Sequence, residues 1–261
     1  VSQVVANAKL TWSLHVTGVR ADGRHLLEAE MVTLDLADTL ELDEAGEGEA
    51  PRFRSRAEAP ATSVDAQLGH DDLVRRALRL VGRRAHVELT KRIPQGSGLG
   101  GGSADAAAVL RWAGETNPHV AVELGSDVPF CCVGGRAMVR GVGEIIEPLM
   151  PLSRTVTLGI PSIHVDTASC YRAFDELGGS QPRHPRNDLT AAAERVAPGL
   201  VEVRQLLEAR TGADFVLAGS GSTLFCEGDP LSLGRGSIEV FEAKDGPVRL
   251  LVATTTGELA R

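Results

Sequence analysis

Residues Pro94-Gln-Gly-Ser-Gly-Leu-Gly-Gly-Gly-Ser-Ala-Asp-Ala-Ala-Ala108 constrain the fold of this chain more than any other stretch. The preceding Ala85-His-Val-Glu-Leu-Thr-Lys-Arg92 alternates polar and apolar residues, which predicts a strand. Pro94 ends that strand, because proline has no N–H to give a ladder. Ala106, Ala107, Val109, Leu110 and Ala113 predict a helix over 103–113 with a wide apolar face. Ser103 suits its cap, and Asp105 in the first turn favours the dipole. Between strand and helix stand glycines 96, 98, 100, 101 and 102. Without Cβ atoms, such a loop wraps closely around a ligand and turns its N–H groups inward. The start of the helix adds unsatisfied N–H groups and the positive end of a dipole. The unit is therefore an anion cradle, and the commonest biological anion of that size is a nucleotide polyphosphate.

Three kinds of phosphate loop share this outline. A P-loop needs Gly-Lys-Ser/Thr at its end, whereas Gly102 is followed by Ser103 and Ala104. The dinucleotide fingerprint is met formally by Gly96-Ser-Gly98-Leu-Gly100-Gly101, a match that so many glycines satisfy by chance. The tight βαβ unit and its closing acid are missing, and a loop, Gly114-Glu-Thr-Asn-Pro118, follows the helix instead. The third kind fits. The run Pro94-x-Gly-x-Gly-Leu-Gly-Gly-Gly-Ser-Ala-Asp-Ala-Ala resembles the nucleotide loop of the galactokinase, homoserine kinase, mevalonate kinase and phosphomevalonate kinase superfamily.

Further segments narrow the resemblance. They are Ala8-Lys9-Leu-Thr-Trp-Ser-Leu-His, the turn Ala21-Asp-Gly-Arg-His25, Leu124-Gly-Ser-Asp127-Val-Pro-Phe130 and Gly134-Gly-Arg-Ala-Met-Val-Arg-Gly-Val-Gly-Glu144. In order and spacing they are similar to members that phosphorylate a cytidine diphosphate-linked polyol. The likeness covers most of residues 6–146 and is weaker beyond, where Arg186-Asn-Asp-Leu189 and Gly219-Ser-Gly-Ser-Thr223 also match.

The resemblance implies an α+β, two-lobed kinase. Its N-terminal lobe, residues 1–152, is ribosomal-protein-S5-like and holds nucleotide and catalytic groups. Its C-terminal lobe, residues 153–261, is ferredoxin-like and faces the substrate. ATP and Mg2+ are the implied cofactors, with the metal ligands unassigned. Pro94, Gly96, Ser97, Gly98, Leu99, Gly100, Gly101, Gly102 and Ser103 would hold the nucleotide. Lys9 and Asp127 would act on the acceptor hydroxyl, and Thr11, Arg24, His25, Tyr171, Gly219 and Ser220 would bind the substrate. Two positions depart from the pattern: Thr11 replaces an asparagine, and Arg24 replaces the tyrosine that stacks on cytosine. An arginine plane also stacks on a base, so Arg24 with Tyr171 is expected to sandwich the ring, and His25 to read its edge.

The residues support this chemistry independently. Phosphorylating an alcohol needs a polarised hydroxyl, an in-line γ-phosphate and positive charge on the transferring group. Asp127, a short acid in a tight bend, suits the first task, and Lys9 suits the last. Each has a plainer reading. Asp127 also suits a turn cap, Lys9 a snorkelling strand edge, Ser103 a helix cap and Tyr171 ordinary half-buried packing. Three alternatives stay open: a kinase for another small alcohol, a catalytically silent nucleotide-binding relative and, last, a dinucleotide oxidoreductase.

With 261 residues and 3% aromatics, the core must be filled by Leu, Val, Ala and Ile. A net charge of −8 argues against a nucleic-acid partner. Asp35 to Glu49 is expected to be a solvated connection, and Arg75, Arg76, Arg79, Arg83 and Arg84 to line the polar side of a helix over 71–84. Cys131, Cys132, Cys170 and Cys226 show no metal-ligand spacing, which suits reduced thiols in a cytoplasm. No apolar run reaches membrane length and no leader is recognised; oligomeric state is left open. Strands are expected up to residue 58 and around 129–147, with a boundary near 152. Beyond it come a strand over 154–160, helices over 167–177, 188–197 and 198–211, and strands over 213–218, 223–227, 237–242 and 248–254.

Overall fold

The computed structural model describes residues 1–46, 48–62, 65, 69, 71–179 and 185–259. A long antiparallel hairpin organises it: β1 (Ser2–Val19) and β2 (His25–Glu44) pair from Ser2↔Leu42 to Val19↔His25. Gly23 turns the hairpin at φ +86°, with Arg20 N donating to Arg24 O. One edge of β2 carries β1. The other is shared in turn by β5 (Arg136–Gly141), β11 (Gly246–Thr256) and β4 (Ala85–Lys91). The strand β3 (Phe53–Ala57) lies parallel to β4, and β6 (Ile145–Pro148) pairs with β5.

The second half contributes β7 (Thr155–Pro161), β8 (Val216–Leu217), β9 (Leu224–Glu227) and β10 (Ile238–Ala243). There β11 pairs with both β7 and β10, and its end reaches β2 through Thr255↔Leu34 and Thr256↔Thr33. One mixed 11-stranded sheet thus runs through both halves. Helices cover it: α1 (Leu73–Leu80), α2 (Gly101–Ala113), α3 (Pro118–Ala121) and α4 (Val128–Val133) in the first half. The second half has α5 (Thr167–Glu176), α6 (Thr190–Val196) and α7 (Gly199–Thr211). No described helix is long and apolar enough to cross a membrane.

Four expectations are corrected. The region expected as strands around 129–147 starts as helix: Val128–Val133 is α4, with Pro129 in its first turn. A six-residue apolar run does not separate strand from helix by periodicity, and proline at a helix start is well placed. The glycine-loop helix begins at Gly101, so Ser103 lies inside its first turn; the cap is Gly100 at φ 72°, with no side-chain bond. Asp105 is buried and paired within the fold, not a surface acid answering the dipole. Asp35 to Glu49 is no solvated connection over most of its length, since β2 continues to Glu44. Asp35 there accepts Thr254 N at 2.8 Å and pairs with Arg235, and Asp38 is fully buried.

Candidate active site

In β1 the run Ala6–Thr11 is buried throughout. Ala6, Ala8 and Leu10 enter the core, while the alternate Asn7, Lys9 and Thr11 form a polar row. Register slips between Asn7 and Lys9 and between Thr11 and Ser13 re-aim this stretch, as bulges do beside functional sites. The backbone of Lys9 is tied to the glycine loop by its N–H to Leu99 O, at 3.0 Å. Its Nζ lies 3.2 Å from Asp127 Oδ2 and donates to Thr11 Oγ1 at 3.1 Å. Asp127 sits at the start of α4, yet its side chain makes no capping bond. Its carboxylate is committed to Lys9 and not to the turn.

The glycine loop runs beside this pair. Glycine is required at two places because another chain approaches too closely for a side chain. A Cβ on Gly98, at φ +81°, would stand 2.4 Å from Gly221 O. One on Gly100, at φ +72°, would stand 2.8 Å from Lys9 Cγ. Thr223 N donates to Ser97 O at 3.0 Å, so the loop of the second half is bonded to that of the first. Asn187, fully buried, holds that second loop by donating to Leu217 O and Gly219 O at 2.7 and 2.8 Å.

Three cavities meet here. One of about 300 Å³ lies between α1 and the glycine loop and is lined by Pro94, Gly96, Ser97, Gly98, Gly100–Gly102, Lys91 and Asp105. The next, about 330 Å³, is lined by Lys9, Thr11, Asp127, Ser103, Gly219, Ser220 and Tyr171 together with the same glycines. A third, about 430 Å³, is lined by Arg24, His25, Leu124, Ser126, Val142 and Tyr171. Tyr171 borders the last two. Its ring lies against His25 at 4.7 Å between centroids, and His25 Nε2 is 2.8 Å from Asp175 Oδ1. Burial, then the charge of Asp127, raises the Tyr171 phenol well above its ordinary value, so it stays neutral. Arg24 is exposed and its guanidinium is 3.8 Å from Asp22, so Tyr171 faces His25 and not Arg24. Leu99 is the one loop residue of the expected set that lines neither of the first two cavities; it is buried in the core beneath them.

Sequence reasoning missed a buried charge cluster under the cavity between α1 and the glycine loop. Lys91 Nζ donates to Asp105 Oδ2 at 2.7 Å and to Asp38 Oδ2, while Asp38 Oδ1 accepts Ile93 N at 2.8 Å. Among the described residues Asp105 Oδ1 has no hydrogen-bond partner. Burial pushes the Asp105 carboxyl up to about 7 against the pull of Lys91. For Lys91, burial lowers and the two carboxylates raise, and the carboxylates prevail. The signal was available: Leu34, Leu36, Asp38, Leu40 and Leu42 share one strand face, as do Ala85, Val87, Leu89 and Lys91. Burial also raises the four thiols, keeping them protonated. Among the described residues no three His, Cys, Asp or Glu side chains cluster as a metal cage.

Comparison with known proteins adds the following. Residues 72–135 match the family described as GHMP kinases N terminal domain. The chain is 36% identical over 238 residues to the 4-diphosphocytidyl-2-C-methyl-D-erythritol kinase of Paracoccus denitrificans, covering 84% of each chain. With that of Chromobacterium violaceum it shares 36% over 252 residues, covering 85% and 84%. A crystal structure of 4-(cytidine 5'-diphospho)-2C-methyl-D-erythritol kinase superposes with a TM-score of 0.69 at 28% identity, over 98% of this chain and 100% of that one. Leishmania major mevalonate kinase shares the fold, with a TM-score of 0.60 at 15% identity, over 100% and 97%.

Proposed function

We propose, from the premise that the chain belongs to the 4-diphosphocytidyl-2-C-methyl-D-erythritol kinase family, that it transfers the γ-phosphoryl group of ATP to the 2-hydroxyl of that cytidine diphosphate-linked polyol. It is an ATP-dependent small-molecule kinase of isoprenoid precursor synthesis with the two-lobed α+β fold of its relatives. The observation that carries the residue-level reading is the Lys9–Asp127 pair at the mouth of the glycine loop, in one cavity with it.

In this reading Asp127 orients the acceptor hydroxyl and takes its proton as the oxygen bonds to the γ-phosphorus and ADP departs. Lys9, held by Thr11 and Asp127, pairs with that carboxylate and answers the charge developing on the transferred group. Phosphate oxygens are received by N–H groups of the Gly96 to Ser103 loop; those at the start of α2 carry no side-chain cap, while Leu99 N donates to Ser97 Oγ.

Mg2+ fits as a passenger of the nucleotide. Such an ion keeps waters and phosphate ligands and needs one or two protein oxygens, and Asp127 and Ser103 face the same cavity. Bound there, it would neutralise the transferring group. Cytidine is assigned to the cavity of Arg24, His25 and Tyr171, and Gly219 and Ser220 to the polyol side. We assign residues 1–152 to nucleotide and catalysis and 153–261 to the substrate, with Arg24 and His25 reaching the base from the first half. The protein would work in a cytoplasm, on a small molecule, without nucleic acid.

A second reading rests on Arg24, which points to Asp22 and leaves Tyr171 and His25 stacked on each other: the same kinase chemistry on another small alcohol. Assaying phosphoryl transfer from labelled ATP to a panel of alcohols decides between them. Tyr171→Ala should raise KM for the cytidine-linked acceptor about tenfold, the worth of one base stacking on an aromatic ring. An unchanged KM removes cytidine from that cavity.

A further inference from the structure

We infer that His164 is a further binding residue of the kinase, an imidazolium from the second half that clamps the nucleotide polyphosphate onto the glycine loop. The inference rests on the phosphoryl-transfer reading above and adds a pH-dependent cation to it.

Three observations converge. His164 lies between β7 and α5 and lines the cavity shared by Lys9, Asp127 and the glycines. It is packed against the loop itself: a Cβ on Gly96 would stand 2.7 Å from His164 Nδ1. It is exposed, and among the described residues no hydrogen bond to its ring is found.

The charges lining the nucleotide and acceptor cavities explain why such a group is needed. Three basic side chains line them: Lys9, Lys91 and His164. Lys9 is taken by Asp127 and Thr11, and Lys91 is locked between Asp38 and Asp105. Asp72, the remaining acid on the walls, is bound to Arg75. So Lys91 is closed off and Lys9 is shared with Asp127 at the transferring end, and among the described residues lining these two cavities His164 is the cation left for the rest of the polyphosphate. The charged group beside it on its own segment is Asp166, whose carboxylate is held below its ordinary value chiefly by hydrogen bonds from Ser169, with a smaller share from Arg172 and His164. Facing it across the cavity are Lys9 and Asp127, and the phosphate-loop side presents Gly96, with Gln95 N held by Asp65.

Histidine is the side chain that changes charge between pH 5 and 8. A polyphosphate beside it favours the protonated ring, so proton uptake and nucleotide binding strengthen each other. One charge-assisted contact corresponds to roughly a tenfold change in affinity.

The test is direct titration of the full-length protein with a non-hydrolysable ATP analogue and Mg2+, without acceptor, from pH 6 to pH 8.5. The parent should bind more tightly at the acid end. His164→Ala should bind roughly tenfold more weakly at pH 6 and within about twofold of the parent at pH 8.5. His164→Gln should lose the extra affinity at the acid end, keeping only the slope that Asp105 on the cavity wall contributes, and His164→Lys should bind tightly across the range. An affinity and pH profile in His164→Ala equal to the parent's overturns the inference. So does a parallel steady-state assay in which His164→Ala raises KM for the acceptor while analogue affinity stays at the parent's, which would place the imidazole on the acceptor's diphosphate. Because no acceptor is present in the titration, the outcome does not depend on which alcohol is phosphorylated.

Discussion

Lys9 and Lys91 carry the same ammonium group on strands of the same half, in a chain with only three lysines, yet their surroundings differ in one respect. Lys91 is closed in by Asp38 and Asp105, whose side chains are 0% and 3% exposed. Lys9 is as deeply set, but its carboxylate partner Asp127 is 28% exposed and opens onto a cavity. A charge cluster sealed on every side holds structure in place, because removing one member strands the others. A pair open on one side can exchange its partner for a substrate hydroxyl.

The contrast yields predictions of decreasing size. Asp127→Asn should lower turnover by about two to four orders of magnitude, as loss of a general base does. Nucleotide affinity and melting temperature should stay near the parent's; near-normal turnover would break the assignment of Asp127. Next, Lys91→Met should cost about 3–5 kcal/mol of stability, the penalty for breaking a buried ion pair from one side. At this chain length that is roughly 10 °C in Tm. Lys9→Met should abolish turnover with a much smaller thermal shift, and equal shifts in the two variants would erase the distinction.

The smallest effect is a slope against pH. Burial first, with the nearby Asp38, pushes the Asp105 carboxyl up to about 7 in the fold against the pull of Lys91, compared with about 4 in an unfolded chain. The folded state therefore binds more protons between those values. The contribution of Asp105 is fully present below pH ~4 and is lost as pH rises toward 7. Denaturant unfolding at pH 5 and pH 8 should show a shallower decline in Asp105→Asn than in the parent. Identical slopes would mean that Lys91 keeps Asp105 ionised throughout.

How much of this was legible follows from the range of each interaction. The strand, glycine loop and helix over 85–113 are set by local rules, and their kind could be read directly. The helix start was misplaced because a side-chain cap was expected, where the structure leaves the N–H groups uncapped. Asp38 sat in an acidic stretch that looked solvated, although its alternation with Leu34, Leu36, Leu40 and Leu42 marks it as inward-facing. Lys91 lies on a neighbouring strand, one step beyond the Thr39–Thr90 pair, so its encounter with Asp38 required the register. His164 against Gly96, or Gly219 beside Thr11, joins residues 68 and 208 positions apart, and no local pattern announces them.

The contact between Gly100 and the stem of Lys9 has a practical consequence for anyone surveying variants of this enzyme. The proposed phosphate cradle and the proposed hydroxyl-activating pair share a partition one side chain thick. A methyl group placed at Gly100 would displace the ammonium head from its carboxylate as well as distort the cradle. Such a lesion would register in kinetics as failed chemistry, and a survey scoring only the rate would credit the wrong residue.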